Sequence, residues 1–198
     1  MTTTYFHCDV TGPWLWELPA DAPQQPHLLR LSLLKADSAG GEATPEVLFV
    51  KPEASWTLDG ETLFHAGLDG VYVTQYGQPQ AVVLRRFLDY AAVSERFVAY
   101  NAEFHTRVLR RTAADLGVIW PDMEVECAMR RSTNIVRVPK MQPGGGFKWP
   151  KMSEAHQYFA GTDIPHGQGA EIDGAELVMA VRLIDTCLDS EFAEVEPR

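Results

Sequence analysis

Apolar and polar positions divide the chain into short β-like runs near its start and longer segments of helical period after them. Residues 4–10 (Thr-Tyr-Phe-His-Cys-Asp-Val) are β-prone and stop at Thr11-Gly12-Pro13, which predicts a first strand. A Pro/Ala/Gln loop over 19–26 separates it from residues 27–36, where alternation merges into a continuous apolar run and predicts a second strand. A turn is expected over 37–41, then a third strand over 46–51 closed by Pro52. Residues 74–92 switch to helical spacing, with Val82, Val83, Phe87, Tyr90 and Ala91 at steps of three and four. Residues 96–100 read as a short buried strand. Residues 103–116 are helical again, with Phe104, Val108, Leu109 and Ala113 on one face. Residues 125–129 fit either a short strand or the start of a helix. Residues 134–149 are irregular, 152–159 are helical with Gly161 as the terminating glycine, and a last helix is expected over 173–188. This order predicts an α/β fold: a mixed sheet that opens with a three-stranded meander and carries helices on both faces. Residues 1–190 read as one domain and 191–198 as a flexible tail.

Composition narrows the classes. The 198 residues are 45% hydrophobic and 22% charged, at the globular average, so extensive disorder is not expected. No run approaches the roughly 20 apolar residues of a membrane helix, and the first residues lack the basic and apolar regions of a secretory signal. The 3 cysteines (Cys8, Cys127, Cys187) show no CxxC spacing, which speaks against a disulfide framework or a cysteine zinc site and for a reducing, cytoplasmic setting. A net charge of −10 disfavours a protein that coats duplex nucleic acid by bulk charge. It leaves room for a nuclease whose metal ions supply local positive charge. One stretch runs against the acidic balance: from Cys127 to Ser153 there are 6 basic residues and no acidic one. With Phe147 and Trp149, this segment reads as a grip for a phosphate chain or a base through Arg130, Arg131, Lys148 and Trp149. It reads equally as a solvated loop that offsets an acidic body. Gly144-Gly145-Gly146 is not a phosphate loop, because no Gly-Lys-Ser/Thr follows it.

Three motifs carry a family resemblance that spans about residues 4–188. Phe6-His7-Cys8-Asp9-Val10-Thr11-Gly12 resembles the first motif, F-D-x-E-x-T-G, of the DEDD-type 3′–5′ exonucleases, the DnaQ-like branch of the RNase H-like fold. Val98-Ala99-Tyr100-Asn101-Ala102-Glu103-Phe104-His105 resembles the second motif, with its Asn-Ala-x-Phe core intact and a helix after it. Lys148-Trp149-Pro150-Lys151-Met152 and the following residues to Gly161 resemble the helix before the third motif. Gly169-Ala170-Glu171-Ile172-Asp173-Gly174-Ala175-Glu176 resembles that third motif. The resemblance implies an RNase H-like fold and action on a single-stranded 3′ end or a nucleotide phosphodiester, with Asn101 among the substrate contacts. In the family, four carboxylates hold two Mg²⁺ or Mn²⁺ ions and a histidine activates water.

Here the chemistry at those positions is different. His7, Asp9, His105 and Glu176 stand at the four metal-ligand positions, and Glu171 stands at the position of the histidine base. Asp173, one turn from Glu176, is an alternative third-motif carboxylate. Every substitute can still ligate metal or move a proton. Two imidazoles with carboxylates suit Mn²⁺, Zn²⁺, Fe²⁺ or Ni²⁺ better than Mg²⁺. Three functions follow as expectations: a variant metal-dependent exonuclease with Glu171 as base, an inactive exonuclease-like protein that binds nucleic acid or a protein partner, or different, non-nucleolytic metal chemistry at the same cluster. His166, in a Gly-rich loop, is a substitute base candidate. Structural readings compete at each position: His7 as a strand histidine bonded to backbone, Asp9 as a turn former, the acids at 171–176 as counter-charges to a helix dipole. Cys8 alternates away from His7 and Asp9 and is expected in the core.

Overall fold

The computed structural model describes residues 1–37, 44–141, 145–165 and 170–193. Its centre is a five-stranded sheet in the order β3-β2-β1-β4-β5. The strands are β1 (Thr2–Val10), β2 (Leu28–Asp37), β3 (Glu46–Phe49), β4 (Arg96–Ala99) and β5 (Glu126–Cys127). β1, β2 and β3 pair antiparallel as the expected meander. β4 joins β1, and β5 joins β4, in parallel. The mixed sheet with helices on both faces is the predicted fold class. The helices are α1 (Gly60–His65), α2 (Gly70–Tyr76), α3 (Gln80–Ala91), α4 (Ala102–Asp115), α5 (Ala128–Val136), α6 (Met152–Ala160) and α7 (Ala170–Ala193).

Alternation along β1 sends its side chains into two cores. Phe6, Cys8 and Val10 join Leu31, Leu33, Val83, Phe87, Val108 and Leu109 under α3 and α4. Tyr5 joins Leu34, Val98, Ala128, Val178, Val181, Ile184 and Leu188 under α5, α6 and α7. A third cluster, Leu29, Phe49, Leu63, Leu68 and Val73, seats α1 and α2 at the β3 edge. No helix among the described residues is long and apolar enough to cross a membrane.

Several element boundaries correct the sequence expectation. The expected helix over 74–92 is two helices, because Gln78 bonds Phe49 and Lys51 at the sheet edge and Pro79 restarts the chain at α3. Gly77 is required at this crossing: a Cβ there would lie 2.3 Å from the Val73 carbonyl and 2.5 Å from the Lys51 nitrogen. The short helix α1, capped by the Asp59 carboxylate on Thr62 N–H (2.7 Å), carries no long apolar period and was not predicted. Residues 125–129 resolve as both alternatives, β5 followed at once by α5. α7 begins three residues before, and ends five residues after, the expected helix, running into the expected tail. The expected turn at 37–41 lies mostly outside the described residues, as do His166 and the tail from 194.

α7 is tied to the sheet by a buried ion network. Asp185, fully buried, accepts from Arg96 Nη1 (2.6 Å) and Nη2 (2.9 Å), from Tyr5 Oη (3.0 Å) and from Arg131. Burial, and then the Asp185 charge, push the Tyr5 phenol well up. Arg96 also forks onto Glu126 at 2.7 Å through two nitrogens, and this bond holds the Glu126 carboxyl below its ordinary value. Removing Asp185 takes away the fully buried acceptor that Arg96, Arg131 and Tyr5 share and leaves the two guanidinium groups only the more exposed Glu126 and Asp189. Asp185→Ala is therefore expected to cost about 3–5 kcal/mol, a drop in melting temperature on the order of 10 °C. A shift of under about 2 °C in a thermal melt would show the network to be dispensable.

Candidate functional site

The end of β1, the turn from β4 into α4, α1 and the start of α6 enclose a cleft of about 460 Å³. His7 and Asp9 form one side, Trp14 and Phe104 another, Thr62, His65 and Ala66 a third, with Tyr100, Asn101, His105 and Met152 completing it. Local sequence explains the shape. The β1–β2 register shifts between Asp9 and Val10, which bends the strand end. Thr11 then closes it, donating its N–H to His27 O (2.9 Å) and accepting at Oγ1 from His27 N (3.0 Å). Asn101 turns strand into helix through a left-handed conformation, φ 66° and ψ 58°, which asparagine tolerates better than most residues.

The polar interior is organised by Arg30. Asp9 and Arg30 are direct cross-strand partners on β1 and β2. Arg30 is fully buried, and its Nε donates to Asp9 Oδ2 at 2.7 Å. Its Nη2 donates to Ala66 O at 3.0 Å, fastening the end of α1. On the other carboxylate oxygen, His7 Nε2 lies 3.4 Å from Asp9 Oδ1. Burial alone would raise the Asp9 carboxyl, but His7 and Arg30 outweigh it and hold the group well below the usual carboxylate range. α7 makes room for this arrangement at Gly174, where a Cβ would lie 2.6 Å from Ser32 Oγ and 3.1 Å from Arg30 Cδ.

His105 plays a structural part. β4 ends at Ala99, so the Cys8 N–H of β1 has no strand to meet on that side. His105 Nδ1 accepts that N–H at 3.1 Å. Burial, and then the His7 ring 4.6 Å away between centroids, hold His105 far below the ordinary imidazole range. The neutral ring thus carries its proton on Nε2. Cys8 faces the α3–α4 core as expected, and burial raises its thiol far out of the reactive range.

These residues do not suit the metal that the motif resemblance implies. The Asp9 carboxylate is already neutralised by a resident guanidinium. One nitrogen of His105 is committed to Cys8 and the other is protonated, leaving no lone pair for a ligand bond. Glu176 lines a different cavity, with Met179, Leu183 and Cys187. Among the described residues there is no group of three or more His, Cys, Asp or Glu arranged to hold a metal ion. Residues 171 and 173 lie in the first turn of α7, and their side chains fall outside the description.

The basic candidates divide. Arg131 is consumed by the Asp185 and Asp189 network. Lys148 binds Glu154 at 2.8 Å beside the start of α6, and this bond holds the Glu154 carboxyl below its ordinary value. Arg130 and Trp149 remain at the surface, stacked with the guanidinium carbon 5.7 Å from the ring centroid. Asn101 lines the cleft, and its side chain does not cap α4. Arg30 was missed by sequence reading. Its signal is a lone arginine in the apolar run Leu28-Leu29-Arg30-Leu31, where a buried cation demands a buried anion.

The chain matches no protein-family model and no curated protein. Solved structures do match. A product-bound structure of exonuclease I aligns with a TM-score of 0.66 at 15% identity, covering 97% of this chain and 46% of that one. Escherichia coli exonuclease I in complex with a dA16 oligonucleotide aligns at 0.64 and 16% identity, covering 97% of this chain and 43% of that one. An exonuclease I structure described as suggesting how processivity is achieved aligns at 0.64 and 14% identity, covering 98% and 43%. The fold is thus that of exonuclease I, RNase H-like, and the chain spans less than half the length of those proteins.

Two outcomes are expected from this geometry. Arg30→Gln strands a buried carboxylate and costs about 3–5 kcal/mol, whereas adding Asp9→Asn restores a large part of the loss. Purely additive losses in denaturant melts would show that the two do not pair. His105 is neutral when folded but takes a proton in the unfolded chain below about pH 6.5. Its contribution to stability is therefore present above that pH and is lost as the pH falls. Melting temperature should decline from roughly pH 7 to 5, with His27, also lowered chiefly by burial, adding to the slope. His105→Gln should flatten that decline while costing about 1–3 kcal/mol at neutral pH. An unchanged slope would show that the ring is not held neutral.

Proposed function

We propose that this protein holds the end of a single-stranded nucleic acid in the cleft between β1, α1 and the start of α4, and does not cleave it by metal-ion hydrolysis. The observation that carries the reading is the Arg30–Asp9 pair at 2.7 Å. It puts a fixed cation beside the first-motif carboxylate within an exonuclease I fold. The support for a strand end is threefold: the motifs resembling 3′–5′ exonucleases, the likeness to exonuclease I determined with an oligonucleotide, and the cleft walls. Phe104, packed edge to face on the buried Trp14 at 5.9 Å between centroids, offers aromatic surface to a base. The Asn101 amide and Thr62 hydroxyl supply polar contacts along the same opening. A cavity of this size is in the range of small-ligand sites and accommodates a terminal nucleotide.

The test is a fluorescein-labelled oligothymidylate of about 15 nucleotides, near the upper site size of single-strand binders. Anisotropy should report binding that is the same with chelator and with Mg²⁺, Mn²⁺ or Zn²⁺. The labelled strand should stay full length under every metal. Phe104→Ala should weaken binding roughly 5- to 100-fold. Stepwise shortening of the strand that is lost in Asp9→Asn would overturn this reading in favour of a metal-dependent exonuclease. Absence of binding under all conditions would overturn it outright.

A further inference from the structure

A second cavity, of about 400 Å³, lies on the neighbouring face of the first turns of α4. The two openings share that helix start: Asn101, Phe104 and His105 line the cleft, while Ala102, Glu103 and Thr106 line the second cavity. Its other walls are Arg107, Arg110 and Arg130, with Met123, Val125 and Cys127 beneath. Three guanidinium groups therefore converge against the single carboxylate of Glu103. That carboxylate is shared: Arg107 Nη2 donates to Oε1 and Arg130 Nη2 to Oε2, both at 2.9 Å. Arg110 is exposed and makes no ion pair among the described residues. The nearby Asp122 and Glu124 are exposed and do not line the cavity.

Aromatic plates stand at the two arginines that Glu103 bridges. The Arg107 guanidinium carbon lies 5.5 Å from the Trp16 ring centroid, and Trp16 is 50% exposed. The Arg130 carbon lies 5.7 Å from the Trp149 centroid, and Trp149 is 59% exposed. Further along, Arg137 sits 5.9 Å from Phe147. Both tryptophan rings keep about half or more of their surface open to solvent. Glu103 links the two bridged guanidinium groups, each ring presents its free side, and each arginine keeps spare donors. A protein partner would call for an apolar, shape-specific core. This surface instead alternates fixed cations with flat rings, the pattern that suits a phosphate chain carrying stackable bases.

We infer that this arginine cavity is a second subsite, where the body of the strand binds after leaving the cleft. Its backbone phosphates meet Arg107, Arg110 and Arg130, and its bases stack on Trp16 and Trp149 irrespective of sequence. The inference rests on the single-strand reading above. It adds that affinity grows with strand length beyond the terminal nucleotide and depends on salt through these three arginines.

The experiment uses the full chain and the same labelled oligothymidylate, titrated over a range of salt concentrations. Arg110→Glu should weaken binding at least tenfold and lower the salt slope by roughly one to two. Trp149→Ala and Trp16→Ala should each weaken it roughly 5- to 100-fold with little change in slope. Arg85→Glu, on exposed α3 away from both cavities, should stay within about twofold of the wild type. A single labelled thymidine nucleotide, which the cleft alone accommodates, should bind Arg110→Glu and wild type equally. If Arg110→Glu and both tryptophan variants bind the long probe like wild type while Phe104→Ala weakens it, the subsite is refuted and the cleft reading stands. Equal losses in Arg85→Glu and Arg110→Glu would refute it in favour of bulk charge. A wild type that binds no strand refutes both readings together. Circular dichroism melts of each variant guard against unfolding as the cause of a loss.

Discussion

The structure around the cleft depends on one buried ion pair between neighbouring strands. A guanidinium and a carboxylate taken out of water must satisfy nearly all their hydrogen-bonding capacity inside the protein. Arg30 places donors on Asp9 of the neighbouring strand and on the Ala66 carbonyl at the end of α1. That requirement reaches well beyond the pair. It pins a short helix that has little apolar surface of its own. It also demands a glycine where α7 crosses Arg30 and Ser32, since any Cβ at residue 174 would collide with them. His7 completes the carboxylate's shell on its free oxygen. Two strands, two helices and an imidazole are thus positioned by the solvation needs of a single arginine.

The same pair settles the electrostatics of the cleft. A two-metal nuclease site concentrates negative charge so that divalent cations repay their dehydration. Among the described residues of this cleft, Asp9 is the one carboxylate, and Arg30 already balances it. The histidines add no negative charge, and His105 is held neutral by burial and by its bond to Cys8. A divalent ion entering here would meet a positive neighbour at contact distance instead of an anionic cage. Within this fold, the described residues of the cleft present mainly neutral and aromatic surface around one balanced carboxylate.

The sheet is legible in the sequence because its strands are bounded by Gly and Pro and because β1 alternates cleanly between two cores. α4 and α7 are legible for the same reason, a long apolar stripe with the right period. α1 and the break at Gly77 are not, because their cause is a backbone crossing at the β3 edge, a contact between residues distant in sequence. At the site, the motif residues His7, Asp9, Asn101 and His105 line one cleft. The motifs do not mark Arg30, whose role arises only from strand register. Glu176 shows the reverse limit. A one-dimensional spacing puts it with the others, but the helix rotation fixed by Gly174 and Val178 against the sheet turns it toward another cavity. Arg131 and Lys148 likewise look free in a basic run, yet each is consumed by an acid contributed from elsewhere in the fold.

Net charge and local charge pull in different directions in this molecule, and the difference bears on what it can hold. At −10 the chain as a whole repels a polyanion that comes within about a screening length of it, roughly 8 Å. Attraction therefore begins only at contact, where the arginines beside Glu103 outnumber it. A stiff duplex must bring many phosphates toward the acidic body to place a few on those arginines. A single strand bends, and it can lay its phosphates along one short groove while its unpaired bases reach Trp16 and Trp149. Stacking of this kind needs exposed base faces, which a duplex keeps to itself. On the proposed single-strand reading, an acidic body, a small cationic cavity and flanking rings would favour flexible strands over paired ones without reading any base edge.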